Sequence, residues 1–148
     1  MRRVLFLCTG NYYRSRYCEA IFAAEAKRRG VDWRAFSRGL WRGPSPHERP
    51  LSSHTHDALA SRRIAYAEAG RMPRRAMEGD FEAAAHIVAV NEREHRPEIE
   101  LRFPAWRHRV EHWTVDDVDR LDAADALPRL ERQVTALLVR LERGICAA

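Results

Sequence analysis

The sequence predicts an α/β fold with a parallel sheet, and three observations carry that prediction. Four short strand-like segments, residues 3–7, 33–37, 87–90 and 109–113, alternate with stretches of helical periodicity, the order that builds β-α-β units. The first run is almost wholly apolar, as in a strand buried on both faces. Near the end, Leu127, Leu130, Val134, Leu137, Leu138, Leu141 and Ile145 recur at spacings of three and four, a helix with one buried face.

Taken in order, the strand at 3–7 is followed by a helix over 15–29. Tyr17/Cys18 and Ile21/Phe22 form its apolar pairs and Gly30 its C-cap. After the second strand, Pro44, Pro46 and Pro50 make 42–50 a loop. Ser52 or Ser53 caps a second helix that runs to about residue 63, and 65–77 fits neither pattern. The third strand is 87–90, and 92–101 reads as a charged, exposed helix. The fourth strand is 109–113, and the last helix starts at Asp125 with Pro128 in its first turn.

At 148 residues the chain is long enough for one domain, 1–148, with no second core. Hydrophobic residues at 45%, charged residues at 32% and a mean hydropathy of -0.54 are those of a globular protein. No apolar run nears the roughly 18 residues of a membrane span. Only four apolar residues separate Arg3 from Cys8, too few for a secretory signal, so a cytoplasmic protein without membrane partners is expected. The net charge is +5, with one lysine, Lys27, against 25 arginines. These are scattered, so compositional bias explains them better than a nucleic-acid partner does. Cys8, Cys18 and Cys146 match no zinc set or redox pair, and reduced thiols are the default in the cytosol.

The residues that point to chemistry follow the first strand: Cys8-Thr9-Gly10-Asn11-Tyr12-Tyr13-Arg14-Ser15. Gly10 and Asn11 accept left-handed conformations, so the loop can curl its backbone N–H groups into an anion nest at a helix N-terminus. The same field favours a thiolate at Cys8, a nucleophile facing the bound oxyanion. Arg14 can grip two phosphate oxygens, and Ser15 can donate to the thiolate or cap the helix. A core thiol at a strand end is the competing reading of Cys8. A cysteine and an arginine six apart are common in so arginine-rich a chain; Gly, Asn and Ser between and after them are not.

This segment resembles the hallmark C-x-G-N-x-x-R-S of the low-molecular-weight protein-tyrosine phosphatases and their arsenate reductase relatives, with Glu19-Ala20 as the A-E-like pair of the following helix. Ser37-Arg38-Gly39, Asp80-Phe81 and residues 87–91 extend the likeness. The resemblance implies a four-stranded parallel sheet flanked by helices on both faces, with a phosphate-binding loop after strand 1. It further implies a phosphomonoesterase working through a phosphocysteine, with Cys8, Arg14 and Asp117 catalytic and residues 9–15 (Thr9, Gly10, Asn11, Tyr12, Tyr13, Arg14, Ser15) holding phosphate.

The leaving group must be protonated, and the family's spacing beyond a Trp-like strand end selects Asp117 over Asp116 and Asp119, which read as turn or capping residues. The family's D-P is Asp117-Val118 here. Tyr13 replaces a second loop cysteine used for redox shielding, leaving Cys18 or Cys146 as substitutes. Arg16 replaces a proline and adds charge near the mouth. Members specific for phosphoarginine carry threonine where Tyr12 stands, so that specificity is not implied. Trp41 is either an aromatic wall for a phenyl phosphate or a buried anchor. The chemistry needs no cofactor or metal; His108 and His112 lie on a strand among charges, and His54 and His56 read as exposed. The expected substrate is a phosphorylated protein or small aryl phosphate. An arsenate reductase using an external thiol and an inactive phosphate-binding module are the alternatives, and the oligomeric state is not legible.

Overall fold

The structure, a computed structural model, describes residues 1–144. Among these, four parallel strands, β1 (Arg2–Cys8), β2 (Trp33–Gly39), β3 (His86–Ala89) and β4 (Val110–His112), form one sheet in the order β2-β1-β3-β4. The helices are α1 (Arg14–Arg29), α2 (Ser53–Ser61), α3 (Glu78–Ala83), α4 (Glu92–Arg102) and α5 (Ala123–Glu142). Among the described residues one 3₁₀ turn spans Pro104–Trp106.

The apolar β1 run is explained by layers on both faces. Val4, Phe6 and Cys8 join one core with residues of α1, α2 and α5; Leu5 and Leu7 join a second with Phe81 of α3 and Ile99 of α4. The strand period of two sends alternate residues into opposite layers. The stripe of α5 is buried from Leu127 to Leu141, while Ile145 and Cys146 lie outside the described residues. Helix α5 begins at Ala123, two residues before the expected start, so Pro128 sits inside it rather than in its first turn.

Gly30 ends α1 at φ 66, and Ser52 caps α2 by accepting from the His54 N–H at 3.2 Å. Residues 65–77, which had no clear pattern, form turns that close on the open edge of β2, where the Gly39 N–H donates to the Arg74 carbonyl and the Gly39 carbonyl accepts from the Ala76 N–H. No helix among the described residues is long and apolar enough to cross a membrane.

One expectation is overturned in α4. Its charged face is exposed, but Asn91, His95, Ile99 and Phe103, four residues apart, are all buried. This narrow stripe docks the helix on the sheet beside the β1 loop. The strand order also matters: the chain leaves β1 toward β2, then returns to the opposite side of β1 with β3. Ligands of such sheets bind beyond the carboxyl ends of the strands at that reversal, where Cys8 and Asn91 sit.

Trp41 is a buried anchor, 8% exposed. A Cβ on Gly39 would lie 2.5 Å from its ring and 2.9 Å from the Thr9 carbonyl oxygen. Gly39→Ala is therefore expected to destabilise the fold by about 1–3 kcal/mol, the usual cost of overpacking, as a fall in the urea midpoint.

Candidate active site

The loop between β1 and α1 is organised from Asn11, fully buried and left-handed at φ 48. Its amide uses its whole bonding capacity. Asn11 Nδ2 donates to Ser15 Oγ and Ser37 Oγ, both at 2.9 Å. Oδ1 accepts from the Arg74 backbone N–H at 3.0 Å and from Arg71 Nη1 at 3.1 Å. Because Ser15 Oγ already accepts from Asn11, its own proton is free for Cys8 Sγ, 2.9 Å away. The Ser37 hydroxyl donates to Glu19 Oε1 at 2.5 Å, and Glu19 also accepts from Tyr66 and Arg71. Ser15 is thus the second residue of α1, turned to the sulfur rather than capping the helix.

Arg16 does not line the mouth as expected. It is fully buried and donates to Tyr66 Oη and to the carbonyls of Asn11, Pro50 and Glu68. Those three separate segments outbid solvent for its five N–H groups.

Arg14 is 1% exposed and meets Glu94 in a two-pronged ion pair, Nη1 to Oε2 and Nη2 to Oε1, each at 2.9 Å. Nη1 also donates to the Val115 carbonyl at 2.8 Å. Its Nε–H is buried without a partner among the described residues, the donor an oxyanion in the loop would take. Burial works against the Glu94 carboxylate, but the Arg14 hydrogen bond and charge, with His95 and Thr9, together outweigh it and hold Glu94 below the usual range.

A relay stands behind this pair. The Asn91 N–H donates to His95 Nδ1 at 3.2 Å, which places the imidazole proton on Nε2, facing Thr9 Oγ1 at 3.0 Å. Thr9 then donates to Glu94 Oε1 at 3.1 Å. Burial, and next the Arg14 charge, push His95 down to about 3, so it is a neutral donor. Glu94 and His95 escape the sequence reading because acidic residues are frequent on α4. The one signal was the spacing of His95 to Ile99 on the buried stripe.

Of the three aspartates after β4, Asp117 reaches the site, with Oδ2 at 3.3 Å from Arg14 Nη2 and the side chain 39% exposed. Asp116 turns away and accepts from Asn91 Nδ2 and Arg93. Those bonds, Arg93 first, hold it below the ordinary carboxylate range. Asp119 is exposed.

Cys8, Gly10, Tyr12, Arg14, His47 and Asp117 line a cleft of about 320 Å³. Its aromatic wall is Tyr12 stacked on His47, centroids 3.8 Å apart and 10° from parallel, rather than Trp41. Gly10 permits this approach, since a Cβ there would lie 2.7 Å from His47 Nε2. Tyr13 and His54 also line the cleft, their ring centroids 6.0 Å apart. No group of His, Cys, Asp or Glu suited to a metal occurs among the described residues.

The sequence matches the family described as low molecular weight phosphotyrosine protein phosphatase over residues 3–145. The chain belongs to that family. It is 29% identical over 107 residues to the protein-arginine-phosphatase of Bacillus subtilis (strain 168), covering 72% of this chain and 67% of that one. Its fold matches the low molecular weight protein tyrosine phosphatase of T. tengcongensis with a TM-score of 0.77 at 24% identity, over 97% of this chain and 99% of that one. The YwlE arginine phosphatase, a protein of Bacillus subtilis, matches as a cysteine-to-serine mutant with a phosphorylated active-site serine at a TM-score of 0.74 and 24% identity, over 97% and 95% of the two chains. The family's members are cysteine-based phosphatases, and this chain is a phosphatase of that class.

Two measurements test how the site is held. Asn11→Ala removes four hydrogen bonds and keeps a left-handed residue, so unfolding free energy should fall by about 2–4 kcal/mol, with Asn11→Gly recovering about 1 of it. His95 supplies a pH dependence. Unfolded, it binds a proton below about 6.5; folded, not until about 3. The unfolded state then holds the extra proton across that window, and stability is lost as pH falls, by up to about 1.4 kcal/mol per unit. Glu111, held down at about 2 by His86 and Arg140 against its burial, adds its loss only below its ordinary 4.5. Between pH 6.5 and 4.5 the slope belongs to His95, with smaller shares from His47 and His112. His95→Gln should flatten most of it in urea titrations.

Proposed function

We propose that the protein hydrolyses phosphate monoesters of phenols, protein phosphotyrosine or small aryl phosphates, through a phosphocysteine. The observation that carries this is a Cys8 sulfur hydrogen-bonded to Ser15 at the floor of a cleft whose rim holds Asp117 beside Arg14. Cys8 Sγ attacks phosphorus in line as the bond to the phenolic oxygen breaks. Asp117 gives that oxygen its proton, and the Ser15 hydroxyl stabilises the sulfur both as nucleophile and, later, as leaving group. Water then attacks phosphorus, Asp117 takes its proton, the S–P bond breaks, and phosphate leaves. Arg14 Nε and the backbone N–H groups of residues 9–15 bear the charge of both transition states.

Glu94 positions Arg14, since a guanidinium locked by a fork-to-fork pair cannot swing away from the loop. Tyr12, His47, Tyr13 and His54 give the cleft a ring-rich lining, which supports an aryl substrate over phosphoarginine. A nucleophilic thiol must stay reduced, which supports a cytoplasmic setting.

With a series of aryl phosphates, Cys8→Ser should abolish turnover. Asp117→Asn should lower kcat about 100-fold or more and make it depend steeply on the acidity of the leaving phenol. Undiminished hydrolysis by the Cys8→Ser protein sinks the mechanism; faster turnover of phosphoarginine than of phosphotyrosine peptide sinks the substrate assignment.

A further inference from the structure

The arginine excess has no role in the chemistry beyond Arg14, and the sequence offers no cluster. The fold creates one. A cleft of about 540 Å³ opens at the outer edge of the sheet and is lined by Arg3, Arg34, Arg38, Arg71 and Arg74. Arg34, Phe36 and Arg38 alternate along one face of β2, and Arg3 is the register neighbour of Arg34 on β1. Like charges side by side on adjacent strands repel. The turn segment between α2 and α3 then brings Arg71 and Arg74 to the open edge of β2, Arg71 on the side of Ser37 and Glu19, so that the cleft spans that edge.

Glu19 and Glu68, which also line the cleft, and Asp80 cover only part of this charge. Arg71 pairs with Glu19 and Glu68, and Arg38 with Asp80. Among the described residues no ion pair reaches Arg3, Arg34 or Arg74. Arg3 lies over the Phe36 ring at 4.0 Å and Arg38 at 5.3 Å, so the aromatic edge fixes two guanidinium groups that flexible stems would otherwise scatter. Burial, and after it the charges of Arg71 and Arg74, lower the proton affinity of Arg38 despite Asp80. Crowded, partly dried guanidinium forks are the usual recognition element for phosphate oxygens.

The cleft also connects to the catalytic loop. Arg71, side chain 9% exposed, donates to Asn11 Oδ1 and Ser37 Oγ. An anion that draws on its guanidinium competes directly with the amide that shapes the loop.

We propose that this cleft is a second anion site, for a small ligand carrying two or more phosphate groups, and that its occupancy is felt at Asn11 through Arg71. Turnover is not needed to test it, so its failure is distinct from failure of the phosphatase mechanism. Tripolyphosphate is titrated calorimetrically at about 0.15 M salt, where diffuse attraction is screened beyond about 8 Å, while the side-chain amide resonances of Asn11 are followed by NMR. Wild type should show saturable binding together with a shift of the Asn11 resonances. Arg34→Gln/Arg74→Gln should weaken that binding about tenfold or more with an unchanged melting temperature. Arg107→Gln/Arg109→Gln, which removes the same charge elsewhere, should leave it unaltered. Equal affinity in the first pair, equal loss in the second, or hexaglutamate binding where tripolyphosphate does not would overturn the site; binding without a shift at Asn11 would overturn the coupling.

Discussion

A left-handed residue at position 11 sets the curl of the loop on which the site rests. An asparagine gives up about 1–2 kcal/mol to hold that conformation, and four hydrogen bonds in a place without water offset it. Those bonds reach Ser15 on α1, Ser37 on β2, and Arg71 and Arg74 on the turn segment. One buried amide therefore ties together elements up to 63 residues apart. The orientation of the Ser15 hydroxyl toward Cys8 follows from the donor Asn11 directs at it.

The charge design of the cleft is a balance rather than a surplus. Arg14 faces both Glu94 and Asp117, so the anion-gripping side chain of this cleft is surrounded by acids. A buried ion pair of this kind recovers its desolvation cost only with near-ideal geometry and extra hydrogen bonds. Val115, Thr9 and the His95 relay supply them. The result is a guanidinium fixed before any ligand arrives, with its Nε left for one. Preorganised donors are worth more than mobile ones because nothing has to reorient as charge moves.

The rest of the charged surface divides in a similar way. Arg16, which sequence position suggests for the cleft mouth, serves as a buried clamp on three carbonyls. Arg3, Arg34, Arg38, Arg71 and Arg74, which look scattered along the chain, converge on the edge of β2. Sequence distance carries no information about such convergence, because a parallel sheet brings strands together through long crossovers.

Strand β1, helix α1 with its glycine cap, the capping of α2 and the stripe of α5 are legible in the sequence because each depends on local periodicity or a local backbone preference. The loop Cys8–Ser15 is legible for the same reason: its residue types state their own conformational needs. Asp117 is selected by the family resemblance, which sets its spacing from Trp113, and the fold brings its carboxylate to Arg14. Glu94, His95, His47 and Arg71 are not legible, since each meets the loop from an element at least 30 residues away and looks like any other polar residue on a helix or turn. Local sequence determined what the loop is; the reversal of strand order beside β1 decided what surrounds it, because only tertiary packing chooses which distant charges share a dry space.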